Sequence, residues 1–185
     1  DLDGITTAVG NLLSELTHLD LVSLNNGNFG PIRDLVDTPM DELQRVMDIN
    51  TWANKVLLDP LMRRGITVNQ VIGISSGAAV SGNRGWNSYS ISKAAFAMLL
   101  QLYAAEMPGT HFCSLAPGLV DTAMQDYLCG LDKEHATTFP SVARLQSARG
   151  TDAMPTPETL APRLLDLFKQ VLERPSGDFV DIRKM

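Results

Sequence analysis

Four short apolar runs, each closed by small or polar residues and separated by longer helical patterns, set the tightest limit on how this chain can fold. The runs are Leu19 to Leu24, Val68 to Ile74, His111 to Ala116 and Phe179 to Asp181. They end in Asn25-Asn26-Gly27, Ser75-Ser76-Gly77 and Pro117-Gly118, the last run closing near the C-terminus. Strands that alternate with helices form βαβ units and a parallel sheet. Right-handed crossovers put every carboxyl end of such a sheet on one edge, where ligands bind. The fold class expected is therefore α/β, a doubly wound parallel sheet with a ligand crevice at those ends.

Between the runs, apolar spacing predicts helices over 6–17, from about Thr38 to Arg64, over 87–107 and over 158–172. Thr38 reads as an N-cap with Pro39 at the first helical position, and Gly65 as the stop. The stretch 125–157 reads as polar and irregular. No repeat or long linker interrupts residues 1–185, so a single domain is expected. The first run is apolar on both faces, as for an interior strand. Little precedes it to cover its outer side, which predicts roughly two further β-α units upstream, about 50 to 60 residues in all.

Net charge excludes some partners. With 21 acidic against 15 basic residues, the chain carries −6 and repels phosphate backbones, so no nucleic-acid partner is expected. The longest apolar stretch, Ala94 to Leu100, is far too short to span a bilayer, and no membrane partner is expected. The opening residues lack a basic region followed by an apolar core, and cytosol is the expected compartment. Cys113 and Cys129 have no CxxC spacing and suit a reducing environment. His18, His111 and His135 are scattered without ligand spacing, so no metal site is expected.

The chemistry-bearing residues gather at the predicted crevice. Tyr89 and Lys93 lie four apart near the start of a long helix and share a face. A phenol titrates near pH 10, too high for acid-base work at neutrality, and a nearby ammonium should pull it down. Ser76, thirteen residues before Tyr89, ends a strand at the same edge and can donate to a substrate carbonyl. Asn50, inside the preceding helix, could hold a water linking Lys93 to solvent. The Tyr-x-x-x-Lys pair alone more often just packs and solvates. Asn25 and Asn26 alone are ordinary turn formers, Pro117-Gly118 an ordinary loop and Asn50 an ordinary helix residue. Their occurrence together, in this order, favours a proton-delivery device.

With these residues in place, the chain resembles the short-chain dehydrogenase/reductase family over essentially its whole length. The matching motifs are Asn25-Asn26-Gly27, Asn50, Ser76, Tyr89-x-x-x-Lys93 and Pro117-Gly118-Leu119-Val120-Asp121-Thr122. The resemblance implies a Rossmann-like domain with Ser76, Tyr89, Lys93 and Asn50 as catalytic tetrad. Lys93 would also bind the nicotinamide ribose, and Asn25, Asn26, Gly27, Tyr89, Pro117, Gly118 and Leu119 would border the cofactor. Val120 and Thr122 would reach the nicotinamide carboxamide, and Asp1 with Leu2, at the end of a third strand, the adenine. NADPH is the cofactor the resemblance favours, with NADH the open alternative. It also implies a homodimer or homotetramer, and a mobile substrate lid over 125–157.

Within the family, the chain is similar to the sepiapterin and benzil reductase branch. Arg84-Gly85-Trp86, Asp121-Thr122-x-Met124-Gln125 and Gly177-Asp178-Phe179-Val180-Asp181 carry that similarity. It implies Asp181 as a bidentate anchor for the guanidine-like edge of a pterin, against the plain reading of a solvated carboxylate. Trp86 is either a wall of the substrate pocket or a packed aromatic. Two features depart from the family pattern. No glycine-rich phosphate loop occurs in the 185 residues, and Asn25-Asn26-Gly27 is one residue shorter than the usual Asn-Asn-Ala-Gly run. The function expected is reduction of a ketone or α-dicarbonyl. The alternatives are a truncated, non-catalytic scaffold or regulator, and the same chemistry on a 3-oxoacyl thioester or sugar alcohol.

Overall fold

The computed structural model describes residues 2–185. Four strands form one parallel sheet in the order β1 (His18–Leu24), β2 (Thr67–Ile74), β3 (His111–Ala116), β4 (Phe179–Asp181). In register, Val22 lies opposite Val71, Val71 opposite Phe112, and Leu115 opposite Val180. Within this sheet β1 pairs with β2 alone, and Leu21 on it is 38% exposed.

Both faces of the sheet are covered, which explains why β2 reads as an unbroken apolar run. Val71 and Phe112 join one core with Leu58 and Leu61 of α3 (Ala53–Arg63) and Phe96 and Leu100 of α4 (Asn87–Glu106). Ile72, Cys113 and Leu115 join the opposite core with Leu160, Leu167 and Phe168 of α8 (Pro157–Gln170) and its neighbours. On that second face the buried Gln70 amide donates to the Phe168 carbonyl at 2.6 Å. The doubly wound architecture expected from the alternating pattern is the one observed.

Gly73 sets how closely α4 approaches the sheet. A Cβ there would lie 2.4 Å from Leu100 Cδ1 and 2.6 Å from Phe96 Cζ, closer than non-bonded atoms allow. Only a glycine lets the helix rest directly on the β2 backbone.

Three local expectations need correction. The first helix, α1, spans Leu2–Leu12, because the bonds Ser14 N–H to Asn11 and Leu16 N–H to Leu13 tighten the chain into turns. Thr38 does not cap the next helix. Its hydroxyl donates to the Asp34 carbonyl, and α2 (Met40–Met47) begins after Pro39 with no side-chain cap. Residues 125–157 are mostly helical, forming α5 (Ala123–Cys129), α6 (Lys133–Thr138) and α7 (Pro140–Ala148). These are too short for a periodic pattern to emerge. They are started by Asp132, whose carboxylate accepts from the His135 N–H, and by Pro140 at a first helical position. Among the described residues no helix is long and apolar enough to cross a membrane.

Candidate active site

The loop after β1 is positioned by a buried asparagine. Between α2 and α3 the helix widens into a π turn over Asp48–Trp52, a local distortion common at functional sites. The turn carries Asn50, which is fully buried. Asn50 Oδ1 accepts from the Asn28 N–H at 2.7 Å, and its Nδ2 donates to the Asn28 carbonyl and to Ser92 Oγ, both at 2.8 Å. Ser92 in turn donates to the Tyr89 carbonyl. Asn50 therefore ties the loop to the helix that bears Tyr89. Its own carbonyl accepts from Asn54 Nδ2. Asn26 adds a second tie, donating to the Ile49 carbonyl, while Asn25 is exposed.

The clamp brings Gly27 against Lys93. A Cβ at Gly27 would lie 3.5 Å from Lys93 Nζ and 3.9 Å from Asn50 Oδ1. Lys93 is 4% exposed and donates to the Ile74 carbonyl at 2.8 Å, with its amine 5.9 Å from the Tyr89 ring centre. Burial pulls the Lys93 ammonium down to about 8. Tyr89 is 8% exposed, and burial raises its phenol, opposed by a hydrogen bond with Ser76. The net shift of Tyr89 is upward, so burial outweighs the lowering expected from Lys93. The amine turns to a backbone carbonyl, and desolvation dominates the phenol. Ser76, at the end of β2, also accepts from the Ala78 N–H at 3.2 Å.

The ring of Tyr89 is held by aromatics. Phe29 stacks on it with ring centres 4.6 Å apart and planes 23° apart, and Trp86 meets both rings edge-on. Trp86 is 7% exposed and donates from Nε1 to Ser141 of α7, so it is a packed core residue rather than a pocket wall. Leu128, Phe139 and Val142 from α5–α7 complete this cluster.

Two surface clasps hold those helices down. Arg84 grips Asp34 through two bonds of 2.6 Å and lies over the Phe139 ring. Arg149 pairs with both Asp121 and Asp126.

After β3, Gly118 takes a positive φ of 80°, which suits glycine. Beyond Pro117 and Gly118, Leu119 packs on the aromatic cluster and Val120 on the core under α8. Thr122 is exposed just before α5.

Asp181, at the end of β4, is buried, but its carboxylate is engaged. Its Oδ1 accepts from Arg183 Nε at 2.9 Å and its Oδ2 from Nη2 at 2.6 Å, and Arg183 holds its carboxyl below the usual carboxylate range. The bidentate surface expected to face a pterin is taken up by this chain's own guanidinium. Leu2 opens α1 rather than closing a strand, and Asp1 lies outside the described residues. Ser76, Tyr89, Lys93, Gly27 and Asn50 come together. Phe29 and Arg183 also belong to the site, although nothing in their sequence spacing marks them.

A family model for short chain dehydrogenase matches residues 1–129. The benzil reductase ((S)-benzoin forming) of Bacillus subtilis (strain 168) is 28% identical over 167 residues, covering 86% of this chain and 67% of the relative. Sepiapterin reductase of Mus musculus is 35% identical over 100 residues, covering 54% of this chain and 37% of the relative. The crystal structure of the KRED1-Pglu enzyme superposes with a TM-score of 0.81 at 23% identity, over 97% of this chain and 75% of that one. Parallel sheet, residue pattern and family match agree, and the chain belongs to the short-chain dehydrogenase/reductase family of oxidoreductases.

Proposed function

We propose that this protein reduces a ketone or α-dicarbonyl to the alcohol, with NADPH as the reductant. The observation that carries this reading is the cluster at the carboxyl edge of the sheet, where the buried Lys93 amine lies 5.9 Å from the Tyr89 ring centre and Ser76, just after β2, lowers the phenol against its burial. The benzil and sepiapterin reductase relatives support a carbonyl substrate.

The residues fit a nicotinamide cofactor on one structural count. The bare Gly27 backbone faces the Lys93 amine, leaving room that any side chain would fill. Asn25, Asn26, Gly27, Tyr89, Lys93 and the segment Pro117–Thr122 would hold the nicotinamide end. When bound, the cofactor supplies the hydride that the carbonyl carbon accepts. Ser76 donates a hydrogen bond to the carbonyl oxygen and orients it. Tyr89 delivers the proton to that oxygen. Burial keeps the phenol protonated at neutral pH, which is the form an acid in a reduction requires. Below about pH 8 Lys93 carries its charge and favours the phenolate left after donation. Asn50 acts as a positioning residue through Asn28 and Ser92.

The same reading has two copies pairing in a cytoplasmic setting. The outer face of α4 exposes Ile91, Met98 and Leu102, one stripe at helical spacing. Light scattering of the purified protein tests the pairing.

Loss of NADPH absorbance with benzil, sepiapterin and an acetoacetyl thioester tests the function. Turnover of benzil or sepiapterin supports the reading. Turnover of the thioester alone moves the substrate class, and no turnover with any of them overturns it.

A further inference from the structure

The side chain of Arg183 is the feature that the proposed reaction leaves unused. It belongs to the last turn (Ile182–Lys184), after β4, and turns back across the carboxyl ends of β3 and β2. A Cβ at Gly118 would lie 3.4 Å from its Cδ, and a Cβ at Gly77 only 2.9 Å from its Nη2. The guanidinium therefore rests on Gly77, the residue next to Ser76, whose Cα is about 3.8 Å further along the chain. Glycine at 77 is what makes room for it.

Asp181 fixes the fork from behind. It takes Nε and Nη2 and also accepts from the Arg183 backbone N–H at 3.0 Å. The Asp181 carboxylate is 6% exposed while the Arg183 side chain is 58% exposed. The negative partner is thus buried and the positive one presented. A guanidinium has five N–H donors in a rigid plane, and Asp181 occupies one edge of it. Arg183 Nη1 has no hydrogen-bond partner among the described residues, and the side chain as a whole is 58% exposed.

We propose that Arg183 reads a carboxylate on the substrate, making this a reductase of oxo acids whose carboxylate lies within a few bonds of the reacting carbonyl. The inference rests on the carbonyl-reductase reading above. A carboxylate pairs with the open edge of a guanidinium through charge-assisted hydrogen bonds. A guanidine-like substrate edge would meet a like charge there.

The test compares benzoylformate with methyl benzoylformate, which share one reacting ketone and differ by the methyl group that removes the carboxylate charge beside it. NADPH oxidation is followed for the wild type, for the double variant Asp181→Asn/Arg183→Leu and for Gly77→Ala. The double variant leaves no unpaired carboxylate behind. Gly77→Ala keeps the ion pair but pushes the guanidinium off its seat. The expected result is a higher kcat/KM for the acid in the wild type. The acid-to-ester ratio should then fall at least tenfold in the double variant, mainly through KM, and also fall in Gly77→Ala. A wild type that prefers the ester, or a ratio unchanged in both variants, overturns the inference while leaving the reductase reading standing. If the wild type reduces benzil or sepiapterin but neither of these compounds, this inference falls alone; if it reduces none of them, the reductase reading falls and this inference with it.

Discussion

Tyr89 and Tyr103 stand on the same helix, equally buried, and both phenols are pushed above their ordinary range. Their partners differ. Tyr103 donates to the Asp59 carboxylate, whose charge, after burial, holds the proton on the phenol. Tyr89 faces the neutral hydroxyl of Ser76 and has an amine near its ring. A phenol bound to a carboxylate has already committed its proton. One beside a hydroxyl can give its proton to a newcomer. Burial alone does not set these two phenols apart; the charge of the partner does.

The largest test of that contrast is Tyr89→Phe against Tyr103→Phe. The first should cut carbonyl reduction by about 10² to 10⁴, the usual range for a general acid. The second should leave turnover near wild type. Steady-state NADPH oxidation reads both, and equal losses would break the comparison.

The next effect is on stability against pH. In the folded protein Lys93 loses its proton near pH 8, whereas in the unfolded chain it does so at 10.5. Below pH 8 the fold bears the buried charge at a cost. As pH rises from 8 toward 10.5 the unfolded chain binds more protons at this site, so Lys93 alone should add on the order of 3 kcal/mol, offset above about pH 9 by the Cys113 thiol, which burial pushes up to about 12. The raised Tyr89 phenol acts in the opposite direction only above about pH 10. Lys93→Met should flatten the rise between pH 8 and 10 in urea titrations. In the wild type kcat/KM should decline above about pH 8, as the ammonium is lost.

Asn50→Ala follows. It strands the N–H and carbonyl of Asn28 and frees Ser92, and should cost about 2 to 3 kcal/mol in urea unfolding. A loss below about 0.5 kcal/mol would show that the clamp is not formed. The smallest effect is the stability cost of Tyr103→Phe, about 1 to 2 kcal/mol, because Asp59 keeps its bond from Lys55.

The sheet and the gathering of Ser76, Tyr89 and Lys93 at its edge were legible in the sequence because both rest on local rules. Each of the first three apolar runs ends in residues too small or too polar to continue a buried strand. That Tyr89 and Lys93 share a helix face follows from their spacing, and Ser76 and the strand ends mark where that face lies. What could not be read depends on contacts distant in the chain. Phe29 gives no sign in the sequence that it stacks on Tyr89. Asp181 reads as an available carboxylate until Arg183 is seen folded back onto it. Trp86 is buried because Ser141, far along the chain, offers an acceptor. The helices of 125–157 were missed because each is shorter than three turns, so anchors such as Leu128, Phe139 and Val142 never form a visible period.

Gly73 gives the fold a further consequence. Its absent carbon sets the height at which the tyrosine helix floats above the strands, and the carbonyl that receives the Lys93 amine belongs to the very next residue. A single methyl group there would act as a shim under the whole helix. It would lift the Tyr89 phenol and the Lys93 amine together, from a position that touches neither. The alignment of this chemistry is gauged by a side chain that does not exist.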